Sequence, residues 1–268
     1  MYEFLLWLQG KMTTPTNYSW FHIMFLVITV GVTVLLCLFF KDSDEKTFRR
    51  IILIAWIIIV VFEIYKEVIF SFNYDSENHW EYQWYSFPFQ MCSTPFYVLP
   101  FIAFLPRGKF QKVSDAFMSY TSFYAFFAGL CVMLYPNDVF ISTIGINIQT
   151  MIHHGSQVAL GIFVSVWNRK RFGISYFLKG IIVFVGCIAV AFILNVTVPN
   201  FVEGTFNMFY IGPKYPSTLP VLSMIYPKVP YVVFLAIYIF GFTLASFIVF
   251  GVEYLIFNKG FKRKNANA

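Results

Sequence analysis

Seven apolar runs divide the chain, at residues 20–40, 49–72, 88–105, 115–135, 144–167, 174–198 and 229–256. Each is long enough to cross a hydrocarbon core of about 30 Å at ~1.5 Å of helical rise per residue. The pattern predicts an all-α polytopic membrane bundle, with residues 1–268 forming one membrane domain and no linker. The third run is the shortest and contains Pro95 and Pro100, which remove backbone donors, so it is predicted to kink or break. Residues 1–12 are too short to span and read as an amphipathic helix lying in the interface. The stretch 199–228 carries Pro199, Gly212, Pro213, Pro216, Pro220 and Pro227, and reads as an ordered cap rather than a helix.

Lysine and arginine orient these runs. Lys41, Lys46, Arg49 and Arg50 follow the first; Arg107, Lys109 and Lys112 follow the third; Arg169, Lys170 and Arg171 follow the fifth; Lys259, Lys262, Arg263 and Lys264 follow the last. The alternate loops hold only Lys11, Lys214 and Lys228, and residues 73–87 and 136–143 hold none. Positive residues stay cytoplasmic, so seven crossings put the N-terminus outside and the C-terminus inside. This bias accounts for the formal net charge of +6 without nucleic acid. Composition fits the same class: 59% of residues are hydrophobic, 22% aromatic and 12% charged, too much apolar surface for a soluble domain to bury. Trp80, Tyr82, Trp84 and Tyr85 form an outer aromatic belt. Cys37, Cys92, Cys131 and Cys187 all fall inside apolar runs, which argues against a disulfide framework. The N-terminus has neither a basic leader nor a small-residue cleavage site, so the first run is expected to be retained.

Ionisable and amide side chains inside these runs are costly in lipid and ask for a reason. Glu63, Lys66 and Glu67 sit in the second run, Gln90 and Cys92 in the third, Asn147, Gln149, Thr150, His153, His154 and Gln157 in the fifth, and Asn195 at the end of the sixth. Helical rise places Cys92 ~7 Å below the outer boundary, Lys66 ~9 Å, Glu63 ~13 Å and the histidines ~13–20 Å. Groups from several helices at similar depth point to one cavity opening outward. Plainer readings stand beside this one. Glu63 and Lys66, three apart on a helix, can simply neutralise each other; a membrane cysteine is usually a packing residue; a histidine in a span can serve only an interhelical hydrogen bond.

A cysteine near a histidine is the minimal pair for covalent acyl chemistry: the imidazole takes the thiol proton and the thiolate attacks a carbonyl. The amides of Gln90, Gln157 or Asn195 would position the ester or its oxyanion. In an outer-leaflet cavity the natural substrates are lipid esters. The chemistry asks for no cofactor and no soluble partner. A metal site on Glu63, Cys92, His153 and His154 finds no chelating spacing, since adjacent histidines diverge by ~100°. A non-catalytic transporter or receptor for a small polar or anionic ligand would also gather Glu, Lys and His, although no internal repeat is visible.

The order Glu63-x-x-Lys66, Phe87-Pro88-Phe89-Gln90-Met91-Cys92-Ser93, Ile152-His153-His154-Gly155, then Asn195 and Asn207-Met208-Phe209-Tyr210 resembles the bacterial YwaF family, similar in turn to the animal transmembrane protein one-six-four (TMEM164-like) acyltransferases. The resemblance covers residues 20–257. It implies a seven-helix membrane acyltransferase acting on phospholipids, in a bacterial plasma membrane, with Cys92 as nucleophile and His154, or its neighbour His153, as base. Glu63 and Lys66 would orient the base or bind a headgroup. A lipid ester hydrolase is the nearest alternative chemistry.

Overall fold

A computed structural model describes residues 2–75, 77, 79–136 and 139–266, without the side chains of residues 107 and 259–266. The basic side chains counted above at Arg107, Lys259, Lys262, Arg263 and Lys264 therefore lie outside the described residues, as do positions 1, 76, 78, 137 and 138 of the N-terminal segment and outer loops. The helices are α1 (Tyr2–Leu8), α2 (Trp20–Phe40), α3 (Glu45–Ser71), α4 (Pro95–Phe104), α5 (Arg107–Tyr120), α6 (Phe126–Leu134), α7 (Ile144–Trp167), α8 (Ile174–Thr197), α9 (Leu222–Ile225) and α10 (Tyr231–Ala266). A π-helical segment, Thr121–Ala125, joins α5 to α6. Among the described residues no strand forms; two isolated bridges pair Lys11 with Thr143 and Phe72 with Trp80.

Among the described residues, four segments are long and apolar enough to cross a membrane: Trp20–Phe40, Gly108–Leu134, Ile174–Asn200 and Tyr231–Asn258. Helices α3 and α7, of 27 and 24 residues, are as long. Their apolar character is diluted by the polar groups they bury, Glu63 on α3 and the stripe Gln149 to Gln157 on α7.

The helices depart from the apolar runs at two places. The third run, read over 88–105 and predicted to kink or break, has regular α-helix only from Pro95, after a 3₁₀ turn at Met91–Ser93. The cause is Pro88 and Pro95, which cannot donate to a helical ladder. The fourth run was expected to begin at 115, whereas helix starts at Arg107 and bends at Phe110 (φ −115°, ψ 24°). The basic residues of that turn read as loop, yet they are compatible with a helix whose polar side faces out. The 199–228 cap is mostly irregular, with short 3₁₀ turns and the four-residue α9.

Polarity is arranged inside out relative to a soluble bundle. Ile28, Val30, Leu35 and Leu38 of α2 are exposed, while Phe21, His22, Phe25, Thr29 and Thr33 are buried. Those buried positions recur at helical spacing and pack on α7. A helix apolar all round has no hydrophobic reason to choose a face; here the face with small and polar groups is the one turned inward. The main core joins rings from several helices, among them Phe48, Tyr120, Phe123, Tyr124, Phe163, Phe184 and Phe234. Loop 41–44, the end of α4 and the 168–171 turn meet at one end of the bundle. Asp44 caps α3 by accepting from Thr47 N (2.9 Å), Arg49 donates to Ala103 O and Phe104 O (2.7 and 2.8 Å), and Arg169 bonds Lys41 O (2.8 Å) and the Asp42 carboxylate.

Candidate functional site

Helix α7 supplies the floor of the site. Gln149, His153 and Gln157 are four apart and share a face, with Thr150 and His154 on the adjoining one; all five are buried. The helix can lie this deep because Gly129 of α6 meets it closely: a Cβ there would stand 2.6 Å from Gln157 Cβ and 2.7 Å from His154 O.

Cys92 lies in the 3₁₀ turn facing this stripe. Three residues on is Pro95, which has no N–H to give back to the Cys92 carbonyl. That carbonyl is taken up by α7 instead: His153 Nε2 lies 2.9 Å from it and Gln157 Nε2 donates to it as well. Cys92, His153 and Gln157, 61 and 65 residues apart in sequence, thus converge. The contact joins the histidine to the Cys92 backbone.

The tautomers follow from the partners. A carbonyl only accepts, so Nε2 of His153 carries hydrogen and its lone pair is on Nδ1, which faces Glu63 Oε2 at 3.6 Å without a hydrogen bond. His154 has the opposite arrangement. Its Nδ1 donates to Thr150 O of its own helix (2.7 Å), which leaves Nε2 as the unprotonated nitrogen of the neutral ring. The adjacent histidines therefore differ in chemistry: one ring spends its N–H on Cys92, the other keeps a basic nitrogen unspent by its helix.

Glu63 and Lys66 form the ion pair that their spacing suggested. The Lys66 ammonium also reaches Glu67 (3.1 Å) and Ser86 O (2.9 Å), which uses its three donors within the protein. Gln149 Nε2 approaches Glu63 Oε2 at 3.5 Å, and Ser86 Oγ reaches Glu67 at 3.2 Å. The result is one charged cluster linking α3, the turn before Cys92 and α7.

Gln90 and Asn195 stand one layer further out and both hold the cap. Gln90 donates to Asn207 O (3.0 Å) and accepts from Phe209 N (2.8 Å); Asn195 donates to Met208 O (2.8 Å) and accepts from Met208 N (2.6 Å). Phe209 and Tyr210 take left-handed dihedrals, φ 57° and 55°, rare for aromatic residues. These amide clamps, with Asn207 bonding Gly212 N (2.7 Å), hold the loop in that shape. Met208, Phe209 and Ile211 are buried, so the cap plugs into the bundle beside Cys92.

The sequence reading singled out neither the Ser86 anchor for Lys66 nor the Thr94–Tyr120 hydroxyl pair (2.8 Å) just after Cys92. The clamp role of Asn207 also had no sequence signal beyond its place in a quoted motif. Among the described residues no three His, Cys, Asp or Glu side chains group as metal ligands. Chemically, the arrangement sets a thiol-bearing turn against the His153 imidazole and the Glu63 carboxylate, with the differently prepared His154 ring beside His153 (centroids 5.9 Å), under a fixed lid.

The sequence profile of the TMEM164 family matches residues 17–254. Neither the curated proteins nor the solved structures contain a match.

Proposed function

The chain belongs to the TMEM164 family, and on that premise we propose that it is an integral membrane phospholipid acyltransferase working through a Cys/His pair in an outer-leaflet cavity. The observation that carries the reading is the convergence of His153 and Gln157 on the Cys92 turn, with Glu63 behind His153.

The chain crosses the membrane seven times, N-terminus outside and C-terminus inside. Supporting this, Trp167 Nε1 bonds Ser43 O (2.9 Å) at the end where basic loops gather, while Tyr18 and His22 bond Leu134 O and Met133 O (both 2.8 Å) at the other. In the reaction, His154 Nε2 accepts the Cys92 proton and the thiolate attacks the ester carbonyl of a phospholipid. A thioester forms, the C–O bond breaks, and the lysolipid leaves with the proton returned from His154. A second lysolipid hydroxyl then reverses the sequence. His153 and Gln157 position Cys92 through its carbonyl, and Glu63 with Lys66 orients His153. Gln90 and Asn195 act through the cap.

The test uses protein in nanodiscs with a phospholipid labelled in one acyl chain and an unlabelled lysophospholipid, followed by lipid mass spectrometry. The expected outcome is label in the diacyl phospholipid formed from the added lysophospholipid, falling by about 10² or more in Cys92→Ala, as for loss of a catalytic group. Undiminished transfer by Cys92→Ala overturns the nucleophile. Labelled free fatty acid instead of transfer identifies a hydrolase. No lipid turnover alongside stabilisation by a small anion favours the transporter or receptor reading.

A further inference from the structure

We propose that the lateral groove between α4, α5 and α8 holds the fatty acyl chain of the lipid ester presented to Cys92, and that Gly186 sets how long a chain it takes. This rests on the acyl-transfer reading for its purpose but not for its geometry. The groove has a volume of about 610 Å³. Val98 and Phe101 come from α4, Ala116 and Phe117 from α5, Gly186 and Cys187 from α8. Lys112 is the one charged residue in this lining. Its long apolar stem suits such a wall while the ammonium reaches out of it.

Three observations identify the occupant as an alkyl chain. First, the groove is open on its flank. Phe101, Val113, Ile182 and Val190 on its walls are exposed, and α5 and α8 belong to segments apolar enough to span a membrane. What meets an exposed apolar wall in hydrocarbon is a lipid chain; a polar ligand would leave its own groups unpaired there.

Second, the groove runs toward Cys92. Its head is Phe89, buried three residues before the cysteine and packed against Tyr97 and Phe209 (ring centroids 5.3 and 5.7 Å). Its inner wall at Cys187 touches the Tyr120 hydroxyl, which pairs with Thr94 Oγ1 (2.8 Å); Thr94 in turn donates to Met91 O (2.7 Å) of the Cys92 turn. A chain seated in the groove therefore points its carboxyl end at the cap and the Cys92 turn.

Third, a missing side chain keeps the groove open. A Cβ at Gly186 would meet nothing within 4 Å. A side chain added there therefore starts in open space on the groove wall. Ile182 to Val190 spans eight residues of α8, about 12 Å, enough for roughly nine methylenes at ~1.3 Å of advance each along C–C bonds of ~1.5 Å. Gly186 stands at the middle of that length.

The test compares wild type with Gly186→Phe, both checked for a monodisperse profile and an unchanged Tm. Transfer is measured from phospholipids carrying a four-carbon or a sixteen-carbon acyl chain. The expected result is a tenfold or greater loss for the sixteen-carbon chain with the four-carbon rate unchanged. In parallel, a phospholipid with a diazirine at the chain terminus is photolysed with wild type, Cys92→Ala and Gly186→Phe, and the labelled residues are mapped. Label should fall on groove residues of α5 and α8 in the first two proteins and be lost from them in the third. Where wild type transfers the sixteen-carbon chain, an equal rate in Gly186→Phe overturns the inference, since lipid then only coats the groove. Label confined to other helices overturns it too, whether or not turnover is seen. Groove labelling that Gly186→Phe abolishes, in a protein showing no transfer at all, upholds the groove while the acyl-transfer reading fails.

Discussion

At the scale of single residues, the two adjacent histidines are set apart by what their ring N–H groups do. His153 spends its Nε2 hydrogen on the Cys92 carbonyl; His154 spends its Nδ1 hydrogen on Thr150. Removing a general base usually costs 10²–10⁴ in rate, so His154→Gln should lower acyl transfer by about that factor. His153→Gln keeps an amide N–H for the Cys92 carbonyl and should cost about tenfold or less. Transfer rates with a folded-state check by Tm decide this, and the reverse order would exchange the two roles. Lys66 gives a second expectation. Substituting Met leaves Glu63 and Glu67 close together, with Glu63 deeply buried, a change of the kind that costs about 3–5 kcal/mol when one partner of a buried pair is removed. Lys66→Met should therefore melt early. The triple change Glu63→Gln, Lys66→Met, Glu67→Gln should recover most of the Tm, because no charge is then stranded. Sequence spacing was enough to pair Glu63 with Lys66, since i,i+3 contacts are local. It gave no access to Ser86 as third partner, because that contact depends on where a proline-rich turn lands.

At the scale of elements, packing distance decides function. Helix α6 approaches α7 through Gly129, opposite His154 and Gln157. A methyl there must move backbone, since one of the blocking atoms is the His154 carbonyl oxygen. Gly129→Ala is expected to cost about 1–3 kcal/mol as overpacking and to reduce transfer more than Tm alone would suggest. Crosslinking yield between cysteines placed on α6 and α7 checks the separation of the helices. Element positions were largely legible: α2 and α7 coincide with their apolar runs, because unbroken runs of that length have one economical solution in lipid. The third run was not so simple. Its prolines announced a break but not that regular helix would be confined to Pro95–Phe104. The cap was recognisable from its prolines, while its clamps from Gln90 and Asn195 were not, because an amide in a sequence carries no sign of whether it will hold substrate or backbone.

At the scale of the whole molecule, the proposed seven crossings predict accessibility. In intact cells, a tag before Tyr2 should be cleaved by external protease, and one after Ala268 only once the membrane is permeabilised. Cysteines introduced singly at Lys46 and at Lys214 should label from inside and outside respectively with an impermeant maleimide. Labelling of both from one side would remove a crossing between them and with it the common depth of Glu63, Cys92 and His153. That common depth was the part of the site visible in sequence by counting residues along helices. The Cys92–His153–Gln157 convergence was not, because contacts 61 and 65 residues apart are made by the fold.

The brevity of α4 has a mechanical consequence. Ten residues rise about 15 Å, half of a hydrocarbon slab about 30 Å thick. The rest of that stretch is the Met91–Ser93 turn and the irregular chain before it, laid beside the 27-residue α3. A full-length helix would have spent the Cys92 carbonyl on its own ladder; cut short, it leaves that carbonyl for His153 and Gln157 of α7, so the break itself ties the thiol-bearing turn to the polar stripe.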